Sequence, residues 1–378
     1  MYLLEHDAKE LLARHGVPVP AGVLVGRDQT IDRPGLPAGP WVVKGQVTTG
    51  GRGKAGVIRK AGTTHELMNH AAAILGATVK ARTVKAVRIE QQVSGVEEAY
   101  IGLLLDEAAG GVRLIMSGEG GVDVESLPAA AIRSEFAFAE AGALTASIQR
   151  LAASFQGSKG MALRDAGERL ARVFLELEAM LIEINPLFVR PDGSWVAGDA
   201  KIVTDDGALA RQPELRTLLE QRAHAYPEAA LKHEHGFDYV VVDPEGEIGL
   251  LTTGAGLSMM LIDELRAAGL KPYNFLDVRT GGLRRESTRL VRVLEWISRG
   301  PRVRVLLINI FAGITDLGVF TGLLVSALGR VPQLKVPVVA RLVGNGLPAA
   351  RAALAQAGIT LHTDLDDALA AVRAHLGK

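Results

Sequence analysis

Cysteine is absent from the chain, which excludes disulfides, thiolate metal centres and a cysteine nucleophile, and fits a reducing compartment. An excess of either charge is also missing, since 42 Lys and Arg balance 42 Asp and Glu. With no overall positive field, neither nucleic acid nor a membrane surface is an expected partner, and any anionic ligand must be bound locally. No apolar run approaches the roughly 20 residues that span a bilayer. The opening MYLLEHDAKELLARHG carries charges throughout, where a signal peptide has an apolar core. A cytoplasmic address is therefore the default expectation. The nine histidines are scattered, and no Ser/His/Asp or metal-histidine constellation stands out; His233 and His235 sit in a polar stretch that reads as solvated.

What is present is a chain of 378 residues, 48% hydrophobic, long enough for two or three subdomains with their own cores. Residues 5–15 form a short amphipathic helix with Leu11 and Leu12 on its apolar side, stopped by Gly16, Pro18 and Pro20. Strands are expected at 23–25, 41–43, 84–91, 99–105 and 112–116, and an alanine-rich helical stretch at about 141–180, broken near 157–160. Residues 179–189 and 195–202 read as a hairpin turned by Pro191, Asp192 and Gly193. From Phe237 onward, apolar strands alternate with glycine-bearing turns and helices, the pattern of a doubly wound parallel α/β sheet. The domain boundary is placed near Gly236, giving domains 1–236 and 237–378.

Three clusters can carry chemistry. Lys44 ends the apolar run WVVK and is expected to be half buried, so its ammonium needs an anionic partner. The segment after it, GQVTTGGRGKAGV, reads as a mobile glycine loop. Its Gly50, Gly51, Gly53 and Gly56 let backbone N–H groups approach phosphate oxygens, while Arg52 and Lys54 add charge. Glu183 and Asn185 alternate onto one face of LIEINPL, with Asp199 on the neighbouring strand; such oxygen ligands, few and shared with phosphates, suit Mg²⁺. Further on, TTGAGLSMM places Gly254 and Gly256 between a strand and a helix, where free N–H groups attract anions. NIFAGIT makes a similar loop with Gly313, Ile314 and Thr315. Taken singly, each glycine turn is as compatible with simple tight turning as with a ligand.

In combination and order, EHDAKELLARHGVPVP, WVVKGQVTTGGRGKAGV, EGGVDVE, LIEINPL, DAKI, ARQPELR, GAGLSMMLIDEL, NFLDV and INIFAGIT resemble the β subunits of succinyl-CoA synthetases and, more broadly, the acyl-CoA synthetases that include malate–CoA ligase. The likeness runs nearly end to end. It implies an ATP-grasp N-terminal domain followed by a doubly wound, flavodoxin-like domain carrying the subunit contact. It also implies a ligase using ATP or GTP with Mg²⁺, working with an α subunit that carries the phosphohistidine and the CoA site, as αβ or α2β2. By family position, Lys44 and Gly51, Arg52 and Gly53 hold the phosphates, and Glu90, Val93 and Glu98 hold the nucleoside end. Asn185 and Asp199 bind Mg²⁺, Glu183 hydrogen-bonds the phosphohistidine, and Thr253, Gly313, Ile314 and Thr315 touch the carboxylate substrate.

The sequence departs from that family at three places. Thr253 stands where an asparagine is usual before the GAG turn. Arg279-Thr280-Gly281-Gly282 replaces a glycine triplet after NFLDV, adding a guanidinium suited to an extra anionic or hydroxyl group. The alanine-rich stretch 128–143 replaces a segment containing Asp-Pro. Succinate is the expected carboxylate, with malate or another substituted short carboxylate as the alternative, and a non-catalytic nucleotide-sensing paralogue as the second.

Overall fold

The computed structural model describes the chain apart from residues 28, 30, 32–34, 81, 122–127, 279–286 and 314, and apart from the side chain of residue 129. Arg279 to Gly282 and Ile314 thus lie outside the described residues. The chain forms two compact units, Met1–Leu218 and Leu219–Lys378.

In the first unit the elements are α1 (Glu5–Arg14), β1 (Gly22–Gly26), β2 (Trp41–Gln46), β3 (Ile58–Ala61), α2 (Thr64–Ile74), the short strands β4 (Thr78–Val79) and β5 (Arg82–Thr83), and β6 (Ala86–Gln91). They continue with β7 (Glu97–Asp106), β8 (Gly111–Ser117), β9 (Ile132–Ala137), α3 (Ala141–Ala152), α4 (Gly157–Glu176), β10 (Ala179–Val189), β11 (Trp195–Ala197), β12 (Lys201–Thr204) and α5 (Pro213–Gln221). Two larger antiparallel sheets result, beside the short β4/β5 pair. One has the order β1-β6-β2-β3, and the other β11-β10-β7-β8-β9 with β12 also paired to β10. Helix α2 covers the first sheet, burying Leu67, Ala71 and Ile74 against Val43, Val87 and Ile89. Its start is fixed by a reciprocal cap in which Glu66 N–H donates to Thr63 Oγ1 and Thr63 N–H to the Glu66 carboxylate.

The long helical stretch expected at 141–180 is two helices. The chain breaks at 153–156, Gly157 opens α4 instead of interrupting it, and the helix ends at Glu176 because Ala179 and Met180 already belong to β10. The expected hairpin is present with an interruption. Trp195–Ala197 pairs with Leu187–Val189 and Lys201–Thr204 with Ala179–Glu183, leaving residues 198–200 out of the ladder.

The second unit contains α6 (Pro227–His235), β13 (Asp238–Val241), β14 (Ile248–Thr252), α7 (Ala255–Ala267), β15 (Asn274–Asp277), α8 (Thr288–Ile297), β16 (Val305–Ala312), α9 (Leu317–Gly329), β17 (Val338–Gly344), α10 (Leu347–Gln356), β18 (Leu361–His362) and α11 (Leu365–Leu376). Strands β14, β16, β17 and β18 form a parallel sheet in that order. Along β16 the side chains alternate between two cores. Leu306, Ile308 and Ile310 face Leu294, Phe320 and Leu324, whereas Val305 and Leu307 face Leu261, Leu265 and Val372. A strand apolar on both faces needs helices on both, which is the doubly wound arrangement.

The polar stretch before Phe237 includes α6, which Gly236 ends in the left-handed conformation. His233 is exposed as expected, but His235 is not solvated: its side chain is 12% exposed, stacked on Phe237 with ring centroids 5.7 Å apart. Beside the parallel sheet, β13 and β15 form an antiparallel pair. Asn274 links them to β14 by accepting from Leu250 N–H at 2.9 Å and donating to Leu250 C=O at 2.8 Å. Its amide stands in for a strand's peptide in a fully buried position.

Candidate nucleotide cleft and its relatives

A cleft of about 1710 Å³ opens between the two sheets of the first unit. Lys44, Gly50, Gly51, Arg52, Gly53, Lys54, Glu90, Val93, Glu98, Glu183, Asn185 and Asp199 all line it, while Gly56 of the same glycine loop does not. Val42, Ile58 and Phe188 add apolar wall, of the kind a flat heterocycle requires.

Lys44 lies within β2 and is fully buried, not half buried. The anions that stabilise it belong to the protein: its Nζ donates to Glu5 Oε1 at 2.9 Å and lies 2.6 Å from Glu90 Oε1. Lys9, also buried, donates to Glu90 Oε2 and to the Gly198 carbonyl, each at 2.8 Å, and pairs with Glu5 at 2.8 Å. Arg88 Nε donates to Glu90 at 2.8 Å. Arg52 closes the network, with Nη1 on Glu5 and Nη2 on both oxygens of Asp199 at 2.7 and 2.6 Å.

Four cations thus surround three carboxylates beneath the cleft. Burial favours the neutral acid at Glu5, yet Arg52, Lys44 and Lys9 outweigh it and hold that carboxyl well below its ordinary value. Burial would likewise strip the proton from Lys44, but Glu5, Glu90 and Asp199 keep it charged. At Asp199 the balance tips the other way, and burial, opposed by Arg52, raises its pKa. Lys9, Glu5 and Arg88 were not singled out by sequence. Their only local signal is polar residues on a short helix and a strand, where charge ordinarily faces solvent.

The glycine loop is folded on itself. Ala55 N–H donates to Gly51 C=O at 3.1 Å, Gly56 N–H to Gly53 C=O at 3.0 Å, and Val57 N–H to Arg52 C=O at 3.3 Å. Gly51, at φ 88°, holds the left-handed conformation that glycine permits. On the opposite wall, Glu183 faces Lys201 across the β10/β12 ladder, Oε2 to Nζ 3.7 Å. Asn185 sits where the β10/β7 register shifts, and its Oδ1 accepts from Gly121 N–H at 2.8 Å. Tyr2 lies among these groups, its hydroxyl pushed up to about 12 by burial and by the Glu183 and Asp199 charges, against the opposing pull of Arg52.

Asp199 and Asn185 present hard oxygen donors, the type Mg²⁺ takes when phosphates and water complete its shell. Among the described residues no group of three His, Asp or Glu side chains forms a self-sufficient metal site. The donor set therefore fits a metal brought in with a nucleotide better than a resident one.

In the second unit, Thr253 and Gly313 follow β14 and β16, which are adjacent and parallel, so their turns lie side by side at the C-terminal edge of the sheet. Thr315 belongs to the same turn as Gly313, just before Asp316, whose carboxylate accepts from Val319 N–H at 3.0 Å to start α9. Gly254 caps α7 at φ 81°, and its N–H donates to Asp277 Oδ1 at 2.8 Å.

A glycine loop beside buried cations in the first unit, and strand-to-helix turns on a parallel sheet in the second, are features of a two-part nucleotide-dependent ligase, and the comparisons agree. Residues 2–189 match the ATP-grasp domain family and residues 251–375 the CoA-ligase family. The chain is 38% identical, over all of itself and all of the relative, to an ADP-forming succinate–CoA ligase subunit beta of Chloroflexus aurantiacus. It is 37% identical to a GDP-forming succinate–CoA ligase subunit beta of Thermus thermophilus, over 100% of this chain and 99% of the other. The chain belongs to the succinate–CoA ligase β-subunit family. Its fold is also that of ATP citrate lyase from Methanothrix soehngenii, with a TM-score of 0.74 at 19% identity, covering 100% of this chain and 99% of that one.

Proposed function

We propose that this chain is the nucleotide-binding β subunit of an NDP-forming carboxylate–CoA ligase in the cytoplasm, with succinate as the carboxylate. The observation that carries the reading is the convergence of Lys44, the Gly51–Gly53 loop, Asn185, Asp199 and Glu183 on one cleft. ATP or GTP enters with its phosphates toward Lys44 and the glycine loop and its nucleoside end toward Glu98 and Val93. Glu90, enclosed by three cations, acts there chiefly by keeping Lys44 in position. Asn185 and Asp199 would hold Mg²⁺, which would supply positive charge to neutralise the phosphates.

The γ-phosphoryl group passes to a histidine on an α subunit, the NDP departs, and the phosphoryl group moves from the histidine to the carboxylate. CoA, bound mainly by the α subunit, then displaces phosphate to give the thioester. Glu183 accepts a hydrogen bond from the incoming imidazole N–H and so holds the ring in the tautomer that presents its other nitrogen. Thr253, Gly313 and Thr315, with Ile314 between them in sequence, belong to the carboxylate end. Thr253 offers a hydroxyl where the resemblance expects an amide, and this favours malate or another substituted acid as the second reading.

The test is co-expression with an α-type chain and assay of CoA- and nucleotide-dependent thioester formation across succinate, malate and related acids. Succinyl-CoA with stoichiometric NDP is the expected result. A stable complex that binds nucleotide but turns over none of the acids would replace this reading with a nucleotide-sensing one.

A further inference from the structure

Two of the cations that the glycine-loop motif offers to a nucleotide are already engaged. Lys44 is bonded to Glu5 and paired with Glu90, and Arg52 is clamped on Glu5 and Asp199. Across the buried network, Lys9, Lys44, Arg52 and Arg88 exceed Glu5, Glu90 and Asp199 by a single positive charge. Even with one Mg²⁺ bound, a nucleoside triphosphate carries more negative charge than that, so a cation not committed to a carboxylate has a role near the glycine loop.

Lys80 has the required position. It lines the cleft and is exposed, and among the described residues no carboxylate lies within ion-pair distance of it. Its end lies over the glycine loop: a Cβ built on Gly51 would be 3.4 Å from Lys80 Cε and 3.8 Å from Nζ. The backbone is fixed from below. Thr78 and Val79 pair with Thr83 and Arg82, Val79 is buried in the core of the first sheet, and Gly76 N–H donates to Val84 C=O at 2.9 Å. At the turn of this hairpin Lys80 takes φ 45°, a left-handed conformation that glycine or asparagine adopts with less strain. A long cation held in a strained turn over the glycine loop is the outlier that motivates a functional reading.

We propose that Lys80 is a phosphate ligand of the bound nucleotide, contacting the phosphates beyond the first across Gly51. The proposal rests on the nucleotide-binding reading of the cleft and adds a residue outside the motifs that support that reading. Lys80 supplies charge to the phosphates from across the glycine loop, while Lys44 and Arg52 are tied to their carboxylates.

Isothermal titration of the full-length chain with ADP and with AMP, both in Mg²⁺, tests it. Lys80→Ala is expected to weaken ADP about tenfold, the scale of one charge-assisted contact, and AMP by less than about twofold. Lys80→Arg is expected to retain ADP affinity within roughly threefold. Lys80→Gly is expected to lose ADP affinity like the alanine variant without any fall in Tm, because glycine accepts the turn conformation freely. Unchanged ADP affinity in Lys80→Ala, or equal losses for ADP and AMP, would overturn the proposal while leaving the proposed function standing. A wild-type chain that binds no nucleotide would overturn both.

Discussion

Lys9 Nζ and Glu90 Oε2 are 2.8 Å apart although 81 positions separate the two residues in the chain, and neither side chain is more than 3% exposed. The pair ties α1 to the middle of the first sheet. Removing Lys9 leaves Glu5 and Glu90 buried with one cation fewer, and breaking a buried pair from one side costs about 3–5 kcal/mol. Lys9→Ala is therefore expected to lower the urea midpoint of the first unit markedly. An unchanged midpoint would mean the pair contributes nothing net.

Glu5 gives a pH signature. Its folded pKa is depressed well below 4.5, so its stabilisation is complete above about that pH and is lost as pH falls through the folded value. Glu5→Gln lacks the charge at every pH. The Tm difference between wild type and Glu5→Gln should be largest near neutrality and shrink on acidification below pH 4.5, as followed by calorimetry.

Glu183→Gln keeps the shape of the side chain and removes its charge. Nucleotide affinity should be unchanged while phosphoryl transfer to the partner's histidine slows on the order of a hundredfold, read by rapid-quench labelling with γ-labelled nucleotide. Collapse of nucleotide affinity would instead move Glu183 into the nucleotide site.

Asp199→Ala should weaken Mg²⁺-nucleotide binding roughly ten- to hundredfold and have far less effect on nucleotide without metal, where its first consequence is to release the Arg52 guanidinium. Titration with and without Mg²⁺ separates the two. Equal losses in both conditions would remove Asp199 from the metal site.

In the second unit, Asn274→Ala removes both bonds to Leu250 and leaves a buried N–H and C=O without them. A cost of about 2–4 kcal/mol is expected, with faster hydrogen exchange at the Leu250 amide as its local mark.

The second unit was the more legible part of the sequence. Strands covered on both faces are written as unbroken apolar runs, so VLLINI and GLLT announce themselves. The cleft was legible where backbone chemistry restricts the choice, at Gly51 and around Glu183, Asn185 and Asp199. It was not legible where charge is buried by a distant partner. Glu5 and Lys9 follow ordinary helix spacing, and the ordinary meaning of charge on a short helix is exposure. Local periodicity gives no hint that residues 39 to 81 positions away close over them. The same holds for Asn274, whose amide mimics a peptide only because β14 happens to lie beside it, and for His235, which burial against Phe237 takes out of solvent.

The gap at residues 198–200 has a consequence for how this protein can vary. Because Gly198 is out of the ladder, its carbonyl is free to accept from both Lys9 and Lys44, at 2.8 and 2.6 Å. The next residue is Asp199, held by Arg52. Chain length in the gap therefore sets two things at once, where a neutral acceptor sits for two ammonium groups and where a carboxylate points. Inserting or deleting one residue there would rotate both out of place even with every functional side chain retained. The spacing between Ala197 and Lys201 is thus expected to tolerate changes of identity at Ala200 far more readily than changes of count.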